Sequence, residues 1–210
     1  MHTGTIASDE QIELNGLHVT SAARTIVDLA RTVPFEQAIV VGDAALRMST
    51  TTRDELAEQL DRARHRSGRP AAQRVVDFLD GRSESVGESR SRVALRQSDL
   101  PAPELQARII GLDATTMARV DFLWPELGVI GEFDGMVKYH KEMRGDRLPE
   151  QVVIEEKARE DALRALGWIV VRWTWQDLEH PSPFRARLAA AADIARHTAR
   201  LGTWRSAPHI

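Results

Sequence analysis

The chain contains no cysteine, which excludes disulfides, thiolate zinc sites and cysteine nucleophiles and is compatible with a reducing compartment. It also lacks a strong excess of either charge. The 28 Lys and Arg residues stand against 31 Asp and Glu, for a formal net charge of -3 and a pI near 6.2. Any contact with nucleic acid must therefore come from a local patch and not from a global field. No apolar run approaches the roughly 18 residues a membrane helix needs, and the N-terminus has no signal-peptide pattern. The expectation is a cytoplasmic protein with no membrane partner. Residues Met1 to His18 are polar without a sustained period, and Leu14-Asn15-Gly16-Leu17 reads as a strand end at a turn. A domain rarely opens this way, so Met1 is expected to be a late or alternative start with an upstream segment missing.

What is present is enough apolar material for a core: 210 residues, 42% of them hydrophobic. Thr20 is placed to cap a helix over Ser21 to Arg31, with Ala22, Ile26, Leu29 and Ala30 as its apolar stripe. Pro34 opens a second helix through Leu46, and Thr51 or Thr52 caps a third across Leu56, Ala57 and Leu60. A fourth helix runs from Pro70 to Leu79. Arg62, Arg64, His65, Arg66 and Arg69 crowd the link before it, either as a phosphate-contacting patch or as a solvated helix end whose cations suit the dipole. The polar break Gly81 to Ser85 divides a helical region, residues 1–82, from a second domain, residues 83–210.

The second domain centres on Met117 to Gly135. Arg119 to Trp124 reads as a strand, Pro125-Glu126-Leu127-Gly128 as a tight connection, and Val129 to Gly135 as the returning strand. Counting back from Trp124 opposite Val129 places Asp121 opposite Glu132 and Arg119 opposite Asp134. Directly opposed residues share a sheet face, with Cβ atoms roughly 4.5–5.5 Å apart, and like charges at that spacing destabilise the sheet. A divalent cation held by the two carboxylates would remove the conflict, as would a solvated face on which Arg119 pairs with Asp134. A register slip of one residue would separate the acids.

A helix from Val86 to Gln97 precedes the hairpin, and its Glu88 either lids a core or reaches into a site. Leu105 to Ile110 supplies another strand. After Gly135 a cationic stretch carries Lys138, Tyr139, His140, Lys141, Arg144 and Arg147, either as a solvated loop or as groups facing a phosphate. Glu150 to Leu166 is a helix with Val153, Ala158, Ala162, Leu163 and Leu166 inward, stopped by Gly167. Its Lys157 and Arg159 either form surface pairs or reach the acids. Trp168 to Trp175 is an apolar strand, and Pro181 to Arg200 closes the chain as a helix. Helix feeding strand beside an antiparallel hairpin implies a mixed α/β (α+β) sheet.

Glu88-Ser89, Val120-Asp121-Phe122, Gly131 to Gly135, Glu156-Lys157, Gly167-Trp168 and Val171-Arg172-Trp173, in that order, resemble the very-short-patch-repair-like endonuclease family. The closer likeness is to the branch of unknown function at the C-terminus of proteins resembling AbiEi-type antitoxins. His18 to Thr25 and Asp28-Leu29-Ala30 resemble the middle part of those proteins, where a winged-helix segment precedes in longer relatives. The resemblance implies a restriction-endonuclease-like (PD-(D/E)xK) mixed sheet flanked by helices. It further implies magnesium- or manganese-dependent cleavage of DNA, and a possible toxin partner protein. It makes Asp121 and Glu132 metal ligands and Glu88 the acid that orients metal-bound water. Asp134 stands where that superfamily usually has a lysine, so Lys138, His140 or Lys157 would have to substitute, with Asp134 joining the metal ligands. The alternative it leaves is a catalytically silent nucleic-acid-binding or antitoxin-like module.

Overall fold

The structure, a computed structural model, describes residues 6–135 and 149–208. Two compact units divide between Ser89 and Arg90.

The first unit opens with a hairpin, β1 (Gln11–Leu14) and β2 (Leu17–Thr20). Asn15 and Gly16 both have positive φ, 51° and 78°, as a two-residue type I′ connection requires. The sequence reading took this stretch for a strand end, whereas Asn-Gly here joins a complete pair. Four helices follow: α1 (Ala22–Ala30), α2 (Phe35–Arg47), α3 (Arg53–Arg62) and α4 (Arg69–Phe78). Ser21, not Thr20, caps α1, its hydroxyl accepting from the Arg24 N–H. Thr52 and Glu55 form a reciprocal capping box on α3. Helix α1 packs against the other three, and Ile26, Val27, Ile39, Leu46, Leu56 and Val75 are buried.

Helix α5 (Val86–Leu95) contains the division, later than the boundary expected at 82/83. Its first turn is tied into the first unit, where the buried Ser89 hydroxyl donates to the fully buried Asp43 carboxylate at 2.8 Å.

The second unit is built on a five-stranded sheet. Strands β3 (Glu104–Ile110), β4 (Thr116–Trp124) and β5 (Val129–Asp134) form an antiparallel meander. Helix α6 (Pro149–Ala165) then leads to β6 (Ile169–Thr174), which pairs parallel to β5. After α7 (Trp175–Glu179) and α8 (Pro181–Ala195), a short β7 (Thr203–Arg205) pairs antiparallel to β3. The order across the sheet is β6-β5-β4-β3-β7. The mixed sheet flanked by helices is the architecture expected from sequence. The closing helix ends at Ala195, not Arg200, and α7 and β7 were not foreseen. Ala158 of α6, expected inward, is exposed, while Leu163 and Leu166 are buried.

The two sheet faces carry separate cores. On one face Phe122, Trp124, Val129, Val171 and Trp173 pack with Phe184 and Leu188 of α8. On the other, Ala107, Ile109, Ala118, Val120, Leu123 and Ile130 pack with Leu163 and Leu166 of the α6 region. Within a regular strand Phe122 and Val120 would share a face. They do not, and neither do Leu105 and Ala107. The alternation breaks between Leu105 and Ala107 at Gln106, which has a positive φ of 54°, and between Phe122 and Val120 at Asp121 opposite it. A paired irregularity in both strands preserves the register while exchanging the faces.

Trp173 anchors the first of these cores. Its ring lies 5.2 Å from that of Phe122 and 5.3 Å from that of Phe184, and its indole N–H donates to Ser91 at 2.7 Å. Gly131 makes room for it: a Cβ there would sit 2.5 Å from the Trp173 ring, with Trp124 close behind. Gly131→Ala is therefore expected to cost about 1–3 kcal/mol through overpacking. Urea unfolding should show a lower midpoint, and an unchanged midpoint would refute the fit described for Trp173.

Candidate functional site

Strands β4 and β5 pair as counted from the turn: Trp124 with Val129, Leu123 with Ile130, Phe122 with Gly131. The ladder pairs end there. The half-buried Asp121 turns its carboxylate to the strand backbone, and Oδ2 accepts the N–H of Phe133 at 2.9 Å. Asp121 thus grips β5 between Glu132 and Asp134.

Glu132 faces α6. It sits beside Arg172 in the parallel ladder with β6, and its side chain is only 12% exposed. Arg159 of α6 approaches it as a fork, Nη1 donating to Oε1 at 2.9 Å and Nη2 to Oε2 at 3.1 Å. Arg172 Nε adds a third bond to Oε2 at 3.0 Å. Glu132 therefore draws its counter-charge from two guanidinium groups, Arg159 in the bidentate geometry that suits arginine.

Arg172 also reaches Glu160 at 2.8 Å and Glu156 at 3.1 Å. The Glu156 contact is electrostatic and not a directed hydrogen bond. Glu160 in turn pairs with Arg164. Burial alone pulls the Arg172 pKa down; the hydrogen bond to Glu132 and the charges of Glu132, Glu160 and Glu156 more than reverse this, leaving it raised. Arg172 was read from sequence as part of an apolar strand and of the Val171-Arg172-Trp173 motif, with no role assigned to it. Its signal was an arginine set between the buried Val171 and Trp173.

The remaining expected residues fall as follows. Asp134 is exposed at the end of β5. Lys157 is exposed on α6 and lines a shallow depression of about 280 Å³ with Glu156, Glu160, Asp161, Arg164 and Arg172. Lys138 and His140 lie outside the described residues. Glu88 belongs to the first unit, and its carboxylate folds back on its own helix start. Oε2 accepts the Glu84 N–H at 2.8 Å and Oε1 the Ser85 hydroxyl at 2.7 Å, while Ser85 Oγ accepts the Glu88 N–H. These bonds cap the start of α5. The arginines before α4 are likewise engaged: Arg62 bonds Asp9 and Glu58, and Arg66 lies 3.7 Å from Asp28. They form an ion-paired helix end.

Asp121 and Asp134 suit a hard divalent cation in donor type. Glu132 does not, since both of its oxygens already accept guanidinium N–H groups. Among the described residues no group of three or more His, Asp or Glu side chains is arranged to hold a metal. Magnesium is commonly held by one or two carboxylates together with substrate phosphates.

Two uncharacterized proteins of Mycobacterium tuberculosis, from strains CDC 1551 and H37Rv, are each 34% identical to the chain over 184 residues, 87% of its length. The chain matches 65% of the length of these curated relatives. No family model matches the chain, and no solved structure does. No helix among the described residues is long and apolar enough to cross a membrane.

The different surroundings of the acids predict different costs. Glu132→Gln leaves two arginines short of a counter-charge in a partly buried setting and should destabilise by about 1–3 kcal/mol. Asp134→Asn, at an exposed strand end, should stay within about 0.5 kcal/mol of wild type. Parallel urea titrations check this; equal midpoints for the two variants would remove the clamp from Glu132.

Proposed function

We propose that the second unit is a metal-dependent nuclease module that hydrolyses DNA phosphodiester bonds, acting in the cytoplasm, with Asp121 and Asp134 as its metal-holding acids. The observation that supports this division of roles is the engagement of Glu132. With both oxygens held by Arg159 and Arg172, it fixes β5 to β6 and α6 and does not serve as a ligand. Asp121 fixes β5 from the other side through the Phe133 N–H, one residue before Asp134. The two acids thereby frame the end of the hairpin, and both are of the hard-oxygen type magnesium or manganese accepts. The ion would supply a water of lowered pKa and polarise the phosphate.

The protein's own contribution is placement. Glu132, locked by charge-assisted bonds, keeps the end of β5 in register. Asp121 orients through its backbone bond, which leaves its carboxylate directed along β5. The neighbouring depression is lined by three cations, Lys157, Arg164 and Arg172, and three acids, Glu156, Glu160 and Asp161.

A second reading has its own observation. An aspartate stands at the position where the resembled superfamily carries its lysine, which fits a catalytically silent, DNA-binding or antitoxin-like module that works with a toxin partner protein.

The experiment is calorimetric titration with Mg2+ and Mn2+ on wild type, Asp121→Ala and Asp134→Asn, followed by supercoiled plasmid cleavage in the same ions. Wild type should bind one ion and nick the plasmid, with at least a tenfold loss of both in either variant. Metal binding without cleavage would favour the silent module. If wild type shows neither, the nuclease reading fails.

A further inference from the structure

The first unit holds a cleft of about 760 Å³ that the nuclease reading does not use. One face of α3 borders it: Glu55, Glu58, Gln59 and Arg62 follow the i, i+3, i+4, i+7 spacing that puts side chains on one side of a helix. Ile12, Leu14 and Val19 of the β1–β2 hairpin border it as well, with Ala22 and Ala23 at the start of α1. The hairpin's pairing decides which side chains arrive there. Ile12 opposes Val19 and Leu14 opposes Leu17, so these four share one face, and Gln11, Glu13, His18 and Thr20 share the other.

The apolar face is incompletely covered. Ile12, Leu14 and Leu17 are 48%, 55% and 67% exposed, although a two-stranded hairpin is marginal in water until its apolar face is packed. Large apolar side chains grouped in this way mark an interaction surface. Charge defines what fits it. Asp9, Glu55 and Glu58 line the cleft against one cation, Arg62, so the lining carries two more negative charges than positive. Arg62 pairs with one oxygen of Asp9 and one oxygen of Glu58, and the side chains of both acids are more than half exposed. An occupant that combines apolar side chains with cations is matched to this lining, and a polyanion is repelled by it.

We infer that this cleft is the docking site for a basic amphipathic helix of a partner protein. Apolar side chains at i, i+3 and i+4 of such a helix would lie against Ile12, Leu14 and the two alanines, and a Lys or Arg on its flank would meet Asp9 and Glu58. The face of α3 from Glu55 to Arg62 rises about 10 Å, room for about two turns of an incoming helix. The site lies within the first unit and does not rest on the nuclease reading. Failure of plasmid cleavage would leave it standing.

The test is fluorescence anisotropy at 50 and 200 mM salt with a fluorescein-labelled peptide of leucine and lysine whose leucines recur at i, i+3, i+4 and i+7. One control peptide has the same composition in strict alternation, and a second carries glutamate in place of lysine. Wild type should bind the first peptide and neither control. Ile12→Ser/Leu14→Ser should weaken binding at least tenfold, and Asp9→Asn/Glu58→Gln at least threefold with a flatter salt dependence. Both double variants should keep the wild-type thermal midpoint within a few degrees, because all four altered side chains are about half or more exposed. The site is overturned if wild type binds no peptide, if either control binds as tightly as the first peptide, or if either double variant binds unchanged. It is also overturned as a partner site if sedimentation equilibrium without peptide shows wild type as a dimer and Ile12→Ser/Leu14→Ser as a monomer, because a second copy then covers the hairpin.

Discussion

Glu132 holds three hydrogen bonds from two arginines that come from different elements, and the meeting of hairpin, α6 and β6 in the second unit depends on it. Arg159 arrives from α6 and Arg172 from β6, so one carboxylate joins helix, parallel strand and hairpin. A parallel pair needs a long connection, here through α6, and has no tight turn of its own to hold the strands in register. The charge cluster supplies that constraint. Three glutamates, Glu132, Glu156 and Glu160, are balanced by Arg159, Arg164 and Arg172. With Glu132 mostly removed from solvent, breaking one member leaves the others with uncompensated charge.

The same constraint reassigns the acids. Two carboxylates counted to opposite positions looked like a metal pair, because only a cation could reconcile them. The ladder stops at Phe122 and Gly131, short of the counted Asp121–Glu132 pair, and the cations beside Glu132 are protein side chains. With Glu132 committed to Arg159 and Arg172, the metal reading proposed above rests on Asp121 and Asp134 at the end of the hairpin.

The sheet, the four N-terminal helices and the hairpin register were legible because each rests on a local signal: an apolar period, a capping threonine, a four-residue turn. Three features were not. The exchange of faces at Gln106 and Asp121 uses a positive φ at glutamine, a residue that gives no hint of that conformation, unlike Asn15 and Gly16. The capture of Phe133 N–H by Asp121 is a side-chain bond that no alternation pattern contains. Strand β7 has three residues, too few for any periodicity, yet it is what brings Arg205 beside Arg108. That pairing spans 97 positions of sequence between residues 108 and 205, a relation that appears only when the sheet is assembled.

Arginine serves opposite ends on the two sheet faces. Toward α6 it is partly buried and ion-paired with Glu132, Glu156 and Glu160. Away from α6, Arg108, Arg119 and Arg205 are exposed on neighbouring strands. Arg119 and Asp121 are two residues apart on β4, a rise of about 6–7 Å. The irregularity at Asp121 falls between Arg119 and the clamp, where the strand changes which face each residue serves. It allows one strand to present a cation to one side while its neighbouring acid secures β5 in the plane of the sheet, and a strictly alternating strand could not place both groups this way.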